Sequence, residues 1–213
     1  IPMVLEMAME AVFALVDIFF VSKLGKQAIA TVGLTESVLT LVYSLAWGLG
    51  MGITAVVARR TGEKDPQGAA RAAMQGLLVA IALGIAIAVP GVWYARAILD
   101  LMGAEAEVLV EGPRYMAIML GGNVIILLLF GMNAIFRGAG DAAMAMRSLM
   151  LANGMNILLC PLLIHGLGPW EGFGVMGAAM ATTTGRTIGV CYQLFHLFDG
   201  RGRISAHQDG GEP

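Results

Sequence analysis

Three carboxylates, Glu6, Glu10 and Asp17, stand inside one apolar stretch of membrane length, Pro2 to Leu24. Their spacing is i, i+4 and i+11. At about 100° per residue they fall within roughly 40° of one another on a helix. Charge at bilayer depth is costly, so such groups face a bundle interior or a wet cavity and mark an ion or substrate path. Glu6 and Glu10 also fit a helix end that reaches the headgroups. Asp17 is the residue that needs a role. About seven residues, roughly 10 Å of helix, separate it from Leu24. A carboxyl group held away from water can take up and release a proton once per cycle. With neighbouring oxygens it can equally coordinate sodium, because hard cations prefer oxygen ligands.

Other polar residues sit within apolar runs further along. Asn153 and Asn156 form an i, i+3 pair on adjacent helix faces, suited to interhelical hydrogen bonds or to the same ion path. Thr182, Thr183 and Thr184 precede Arg186, and threonine hydroxyls can bond back to their own helix. Arg186 lies near the middle of a membrane run, where an arginine needs a carboxylate or a water-filled cavity. Glu10, at comparable depth, is its expected partner; snorkelling toward the cytoplasmic surface is the alternative. Glu36, near the start of the second run, reads as interfacial. Gly48, Gly50 and Gly52 make no phosphate loop, since no strand precedes them and no Lys-Ser/Thr follows. His165, His196 and His207 have no metal-ligand spacing among themselves or with the cysteines. No Ser/His/Asp arrangement is present, so neither an enzyme nor a metal cofactor is expected.

The scaffold for these residues is a membrane one. Of 213 residues, 58% are hydrophobic and 13% charged, with a mean hydropathy of +0.78; soluble domains average about 25% charged. Twenty-nine glycines and fifteen methionines suit close helix approach and surfaces that repack. A net charge of −2 and a pI near 5.9 argue against a nucleic-acid partner. Cys160 and Cys191 lie in apolar runs and read as buried thiols rather than a disulfide. The chain starts Ile1-Pro2 with no charged n-region and no cleavage site after the apolar stretch. A signal peptide is therefore not expected, and a fragment or truncated product is.

Six stretches have the length to cross about 30 Å of hydrocarbon. They run approximately Pro2–Leu24, Val32–Val57, Ala70–Trp93, Tyr115–Phe136, Ser148–His165 and Val175–Phe198, with Pro161 a possible break in the fifth. One side of the connections carries Arg59, Arg60, Lys64, Arg71, Arg137, Arg147, Arg201 and Arg203. The other carries Lys23, Lys26, Arg96 and Arg114 beside five acids, Asp100, Glu105, Glu107, Glu111 and Glu171. The basic excess marks the cytoplasmic face and puts both termini there. Ala95 to Gly112 reads as a short external interfacial helix. Ala58 to Asp65 loosely resembles Phe136 to Asp141, a pattern that short Gly/Arg/Asp loops reach easily. The expected organisation is an all-α membrane protein: a six-helix lobe over 1–198 and a Gly-rich polar linker or tail over 199–213.

The order of these pieces resembles the multidrug and toxic compound extrusion (MATE) family of secondary transporters. Matching pieces are Leu15-Val16-Asp17 followed by Lys23-Leu24-Gly25, then Val57-Ala58-Arg59 with Gly62. Phe136-Arg137-Gly138-Ala139-Gly140-Asp141 follows, then Asn153 to Asn156 leading into Pro161-Leu162-Leu163-Ile164, and Gly177 to Thr182. The resemblance implies the N-terminal lobe of a twelve-helix, two-lobed antiporter, in the inner membrane if bacterial. It implies export of cationic or amphipathic compounds in exchange for H⁺ or Na⁺, with no cofactor beyond that ion and a C-terminal six-helix lobe as partner. It implies that Asp17 belongs to the cation-coupling site with Asn156, Thr182 and Thr183. Glu10, Tyr115, Asn153, Cys160 and Arg186 are then candidates for the cavity lining. The family often has Asn-x-x-x-Asp before the proline, whereas here Cys160 precedes Pro161. One carboxylate fewer shifts the expected ion toward H⁺. The alternatives are export of a lipid-linked or peptide precursor on a related fold, and a non-transporting structural subunit or degenerate half-protein.

Overall fold

The computed structural model describes residues 2–167 and 170–198, with the side chains of all but residues 2, 3, 6, 7, 10, 167 and 170 among them. Eight helices follow in chain order: α1 (Pro2–Ser22), α2 (Lys26–Gly62), α3 (Pro66–Trp93), α4 (Ala95–Leu101), α5 (Val108–Gly121), α6 (Asn123–Gly138), α7 (Ala142–His165) and α8 (Val175–Phe198). The one strand pairing among the described residues is two residues a side, β1 (Gly166–Leu167) against β2 (Trp170–Glu171), at the α7–α8 corner.

Six long rods result, because α5 and α6 together make one span, Val108–Gly138, bent at Gly122. By length and hydropathy α2, α3, α5–α6 and α7 can each cross a bilayer. The sequence reading counted α1 and α8 as well. α1, 21 residues long and strongly apolar, has the length to cross as well, and α8 gives up hydropathy to its threonines and Arg186. The chain is an integral membrane protein.

α6 is the hub. It packs on α2, α3, α7 and α8, and Leu127, Met132, Ala134 and Ile135 on it are wholly or almost wholly buried. No residue of α6 is exposed, and even Asn123 and Asn133 are buried, as that central place requires. α7 and α8 lie along each other, and α1 rests mainly on α7. α8 approaches closely through Gly185 and Gly189, a small-xxx-small spacing. A Cβ at Gly185 would stand 2.8 Å from the Ala152 carbonyl oxygen of α7.

The two similar loops share a construction. The Asp65 and Asp141 backbone N–H groups donate to Arg60 and Phe136 carbonyls, and the preceding residues, Lys64 and Gly140, donate to Thr61 and Arg137 carbonyls. This is the Schellman ending, which needs a left-handed residue, and Lys64 (φ 55°) and Gly140 (φ 81°) supply it. Asp65 then caps α3, its Oδ1 accepting from the Gly68 N–H at 2.8 Å, with Pro66 in the first turn.

Several boundaries differ from the sequence reading. α2 runs 37 residues, since Lys26 to Thr31 and Ala58 to Gly62 are polar enough to hide helical continuity. The short helix α4 stops at Leu101, well before Gly112, and Gly103 (φ 79°) turns the chain before α5 begins. α7 runs unbroken through Pro161. Residues 199–213, with the expected tail and Arg201, Arg203 and His207, lie outside the described residues.

Candidate ion and substrate site

Asp17 lies on α1 where that helix meets α7 and α8. Its Oδ1 accepts from Asn156 Nδ2 at 3.0 Å, and its Oδ2 accepts from the Thr182 hydroxyl at 2.7 Å. Asn156 Nδ2 also donates to Thr182 Oγ1 at 3.2 Å, closing a triangle across three helices. Hydrogen bonds to a charged acceptor are short and are worth about 1.5–3 kcal/mol each. Asn156 and Thr182 are buried, and Asn156 Oδ1 has no partner among the described residues. A carboxylate and a hydroxyl oxygen therefore meet beside an amide whose own oxygen has no partner among the described residues. That is a donor set for a proton or a hard monovalent cation.

Asp17 also lines a cavity of about 420 Å³, within the size of small-molecule sites. Phe13, Ala14 and Ile18 line it from α1, and Val32, Glu36, Tyr43 and Trp47 from α2. Leu129 and Phe130 of α6, Leu149 of α7 and Arg186 of α8 complete the wall. The four α2 residues are spaced i, i+4, i+11 and i+15, one face of a helix. Tyr43 and Trp47 pack against Phe130, with ring centroids 6.2 and 5.6 Å away. Arg186 Nη2 donates to the Tyr43 hydroxyl at 3.0 Å. Its guanidinium lies 4.9 Å from the Phe13 ring centroid and 5.7 Å from that of Tyr43.

The expected residues divide as follows. Asp17, Asn156 and Thr182 come together. Thr183 does not join them: a helix turns 100° per residue, and its side chain faces Gly122 at the α5–α6 bend. Asn153 serves α1 differently, donating through Nδ2 to the Met9 carbonyl at 2.9 Å. Tyr115 and Cys160 are buried in an apolar cluster with Val21 and Val32. Glu10's side chain lies outside the described residues, and the partner found for Arg186 is Tyr43.

Glu36 corrects the interfacial reading. α2 starts at Lys26, so Glu36 is roughly 15 Å of helix rise inside it and faces the cavity. Its signal was the stripe Val32, Glu36, Tyr43 and Trp47, which carries a carboxylate and two aromatics on one face.

Comparison with known proteins agrees with this architecture. The MatE family model matches residues 2–162. The FAD transporter of Shewanella oneidensis is 31% identical over 170 residues, covering 80% of this chain and 38% of that protein. The probable multidrug resistance protein YoeA of Bacillus subtilis is 28% identical, covering 85% of this chain and 40% of that one. A crystal structure of MATE in the bent conformation superposes with a TM-score of 0.89 at 33% identity, over 100% of this chain and 47% of that chain. A transporter of the MOP superfamily from Pyrococcus furiosus superposes at 0.88 and 33%, over 97% and 45%. The chain thus spans less than half the length of these relatives, and it belongs to the MatE family of transporters.

Proposed function

We propose that this lobe carries the coupling site of a cation-driven exporter of small aromatic or amphipathic compounds, cationic ones included. The observation that carries the reading is the triangle of Asp17, Asn156 and Thr182 at the edge of the cavity. A multidrug resistance protein and a FAD transporter among the relatives support a small-molecule substrate.

The ionised carboxylate is the state that accepts from both neighbours. When a proton binds, one of those donors must turn away, and the spare Asn156 Oδ1 becomes the natural acceptor for the new O–H. Loaded and unloaded Asp17 then hold α1, α7 and α8 by different bonds. Alternating access follows as that difference shifts the population of two arrangements. Protons are the favoured ion, because Cys160 stands where the family often has a second carboxylate and is a poor ligand for sodium. The C-terminal six-helix lobe is the partner that closes the path, and both termini of this chain lie in the cytoplasm.

The test is Asp17→Asn in the transporter that carries this lobe, reconstituted in proteoliposomes. Asparagine keeps the shape but cannot change charge, so gradient-driven efflux should be lost while expression is retained. Efflux that survives the substitution would remove Asp17 from the coupling site.

A further inference from the structure

We infer that the pocket between the end of α2 and the start of α3 holds the head group of an anionic phospholipid, its phosphate on Arg60 and Arg71.

The pocket has a volume of about 400 Å³ and shares no lining residue with the cavity at Asp17. Val56 and Arg60 line it from α2, Gln67, Arg71 and Gln75 from α3, and Asp65 from the turn between them. Positions 67, 71 and 75 recur every four residues, one face of α3. The next exposed residues on that helix are Leu78 and Val79, and no polar side chain follows until the exposed Trp93. From Gln75 to Trp93 the helix rises about 27 Å, close to the ~30 Å of a hydrocarbon core. Trp93 thus marks one border of that core, where aromatic side chains collect, and Gln75 marks the other. The pocket stands at head-group depth, with the exposed apolar Val56, Met74 and Leu78 at its edge for the acyl chains.

In its lining two guanidinium groups face one carboxylate. Arg60 Nη1 is 3.3 Å from Glu63 Oε2 and 3.5 Å from Asp65 Oδ2, exposed pairs of small worth that a bidentate phosphate can replace. Neither acid is stranded by that exchange. Glu63 Oε1 accepts from Arg59 Nε at 2.9 Å, and Asp65 Oδ1 accepts from the Gly68 N–H. A Cβ on Gly68 would stand 3.1 Å from Arg60 Cδ, so the arginine stem is seated against α3. The Gln67 and Gln75 amides add neutral donors for further oxygens. A basic pocket between membrane helices at this depth suits an acidic lipid head.

The test is lipid titration of the transporter that carries this lobe, purified in detergent and followed by native mass spectrometry. The probes are phosphatidylglycerol and phosphatidylcholine with identical acyl chains. Phosphatidylglycerol should bind about tenfold or more tightly, and Arg60→Gln and Arg71→Gln should each weaken it about fivefold. Arg59→Gln is the control: Arg59 shares the turn and the charge but does not line the pocket, so affinity should hold. Glycerol 3-phosphate, which has the phosphate without the chains, should compete only at far higher concentration.

Equal affinities for the two lipids in the wild type overturn the inference, whether or not the variants fold. Unchanged affinity in both pocket variants overturns it too. A loss in Arg59→Gln as large as in Arg71→Gln does the same, by reducing the effect to overall charge. Displacement by glycerol 3-phosphate at the lipid's own concentration gives the pocket to a free phosphate and overturns the lipid.

Discussion

At the scale of single residues, the three members of the triangle should not be equivalent. Asp17 bears the charge, whereas Asn156 and Thr182 each give it one hydrogen bond. Asn156→Ala or Thr182→Val should therefore slow efflux by about tenfold where Asp17→Asn abolishes it. Transport rates in proteoliposomes decide this, and a loss as complete as that of Asp17→Asn would show that the neighbours act by more than hydrogen bonding. Cys160→Asp tests the choice of ion. If the missing carboxylate is what disfavours sodium, the variant should gain Na⁺-dependent efflux at fixed pH. Wild-type efflux driven by a sodium gradient alone, with the proton gradient collapsed, would overturn the preference for protons. Asp17 and Asn156 were legible in the sequence because a charge or an amide inside an apolar run is conspicuous. Thr182 could not be separated from Thr183 and Thr184 that way, since only the rotation of α8 against α1 decides which hydroxyl reaches Asp17. Glu36 was misplaced by a helix start set six residues late.

α7 and α8 are held in register by close backbone approach. Gly185 shows this most directly, because its missing Cβ would meet the Ala152 carbonyl at 2.8 Å and the Asn156 Cβ at 3.5 Å. Gly185→Ala should push α8 from α7, cost about 1–3 kcal/mol and lower the melting temperature by a few degrees. It should also weaken coupling, since Asn156 and Thr182 sit on the two helices being parted. Gly48→Ala is the matched control: nothing lies within 4 Å of its added Cβ, so stability should hold. Thermal melts of both variants in detergent decide the matter, and equal shifts would refute the packing argument. Helix ends were harder to read than helix existence. Hydropathy reports where lipid contact stops, and α2 continues well past that point.

At the scale of the molecule, six rods, their order and the membrane class were readable, because length, hydropathy and turn residues act locally. The cavity was not, since it forms where five helices from distant parts of the chain happen to leave a gap. Sidedness remains a proposal from the basic excess. Cysteine labelling in a Cys-less background should find Gly62–Pro66 on the cytoplasmic side and Ala104–Glu107 outside; a label reaching Gly62–Pro66 from outside would invert the topology. The length of α2 makes that experiment easy to extend. Thirty-seven residues rise about 55 Å, against about 30 Å of hydrocarbon. Ala58 to Lys64 are all exposed, and the ion pairs of that turn are surface pairs of small worth. The knuckle between α2 and α3 is thus a built-in handle: an epitope spliced between Glu63 and Lys64 gives an antibody a grip on an exposed turn well along α2 from the cavity-lining Trp47.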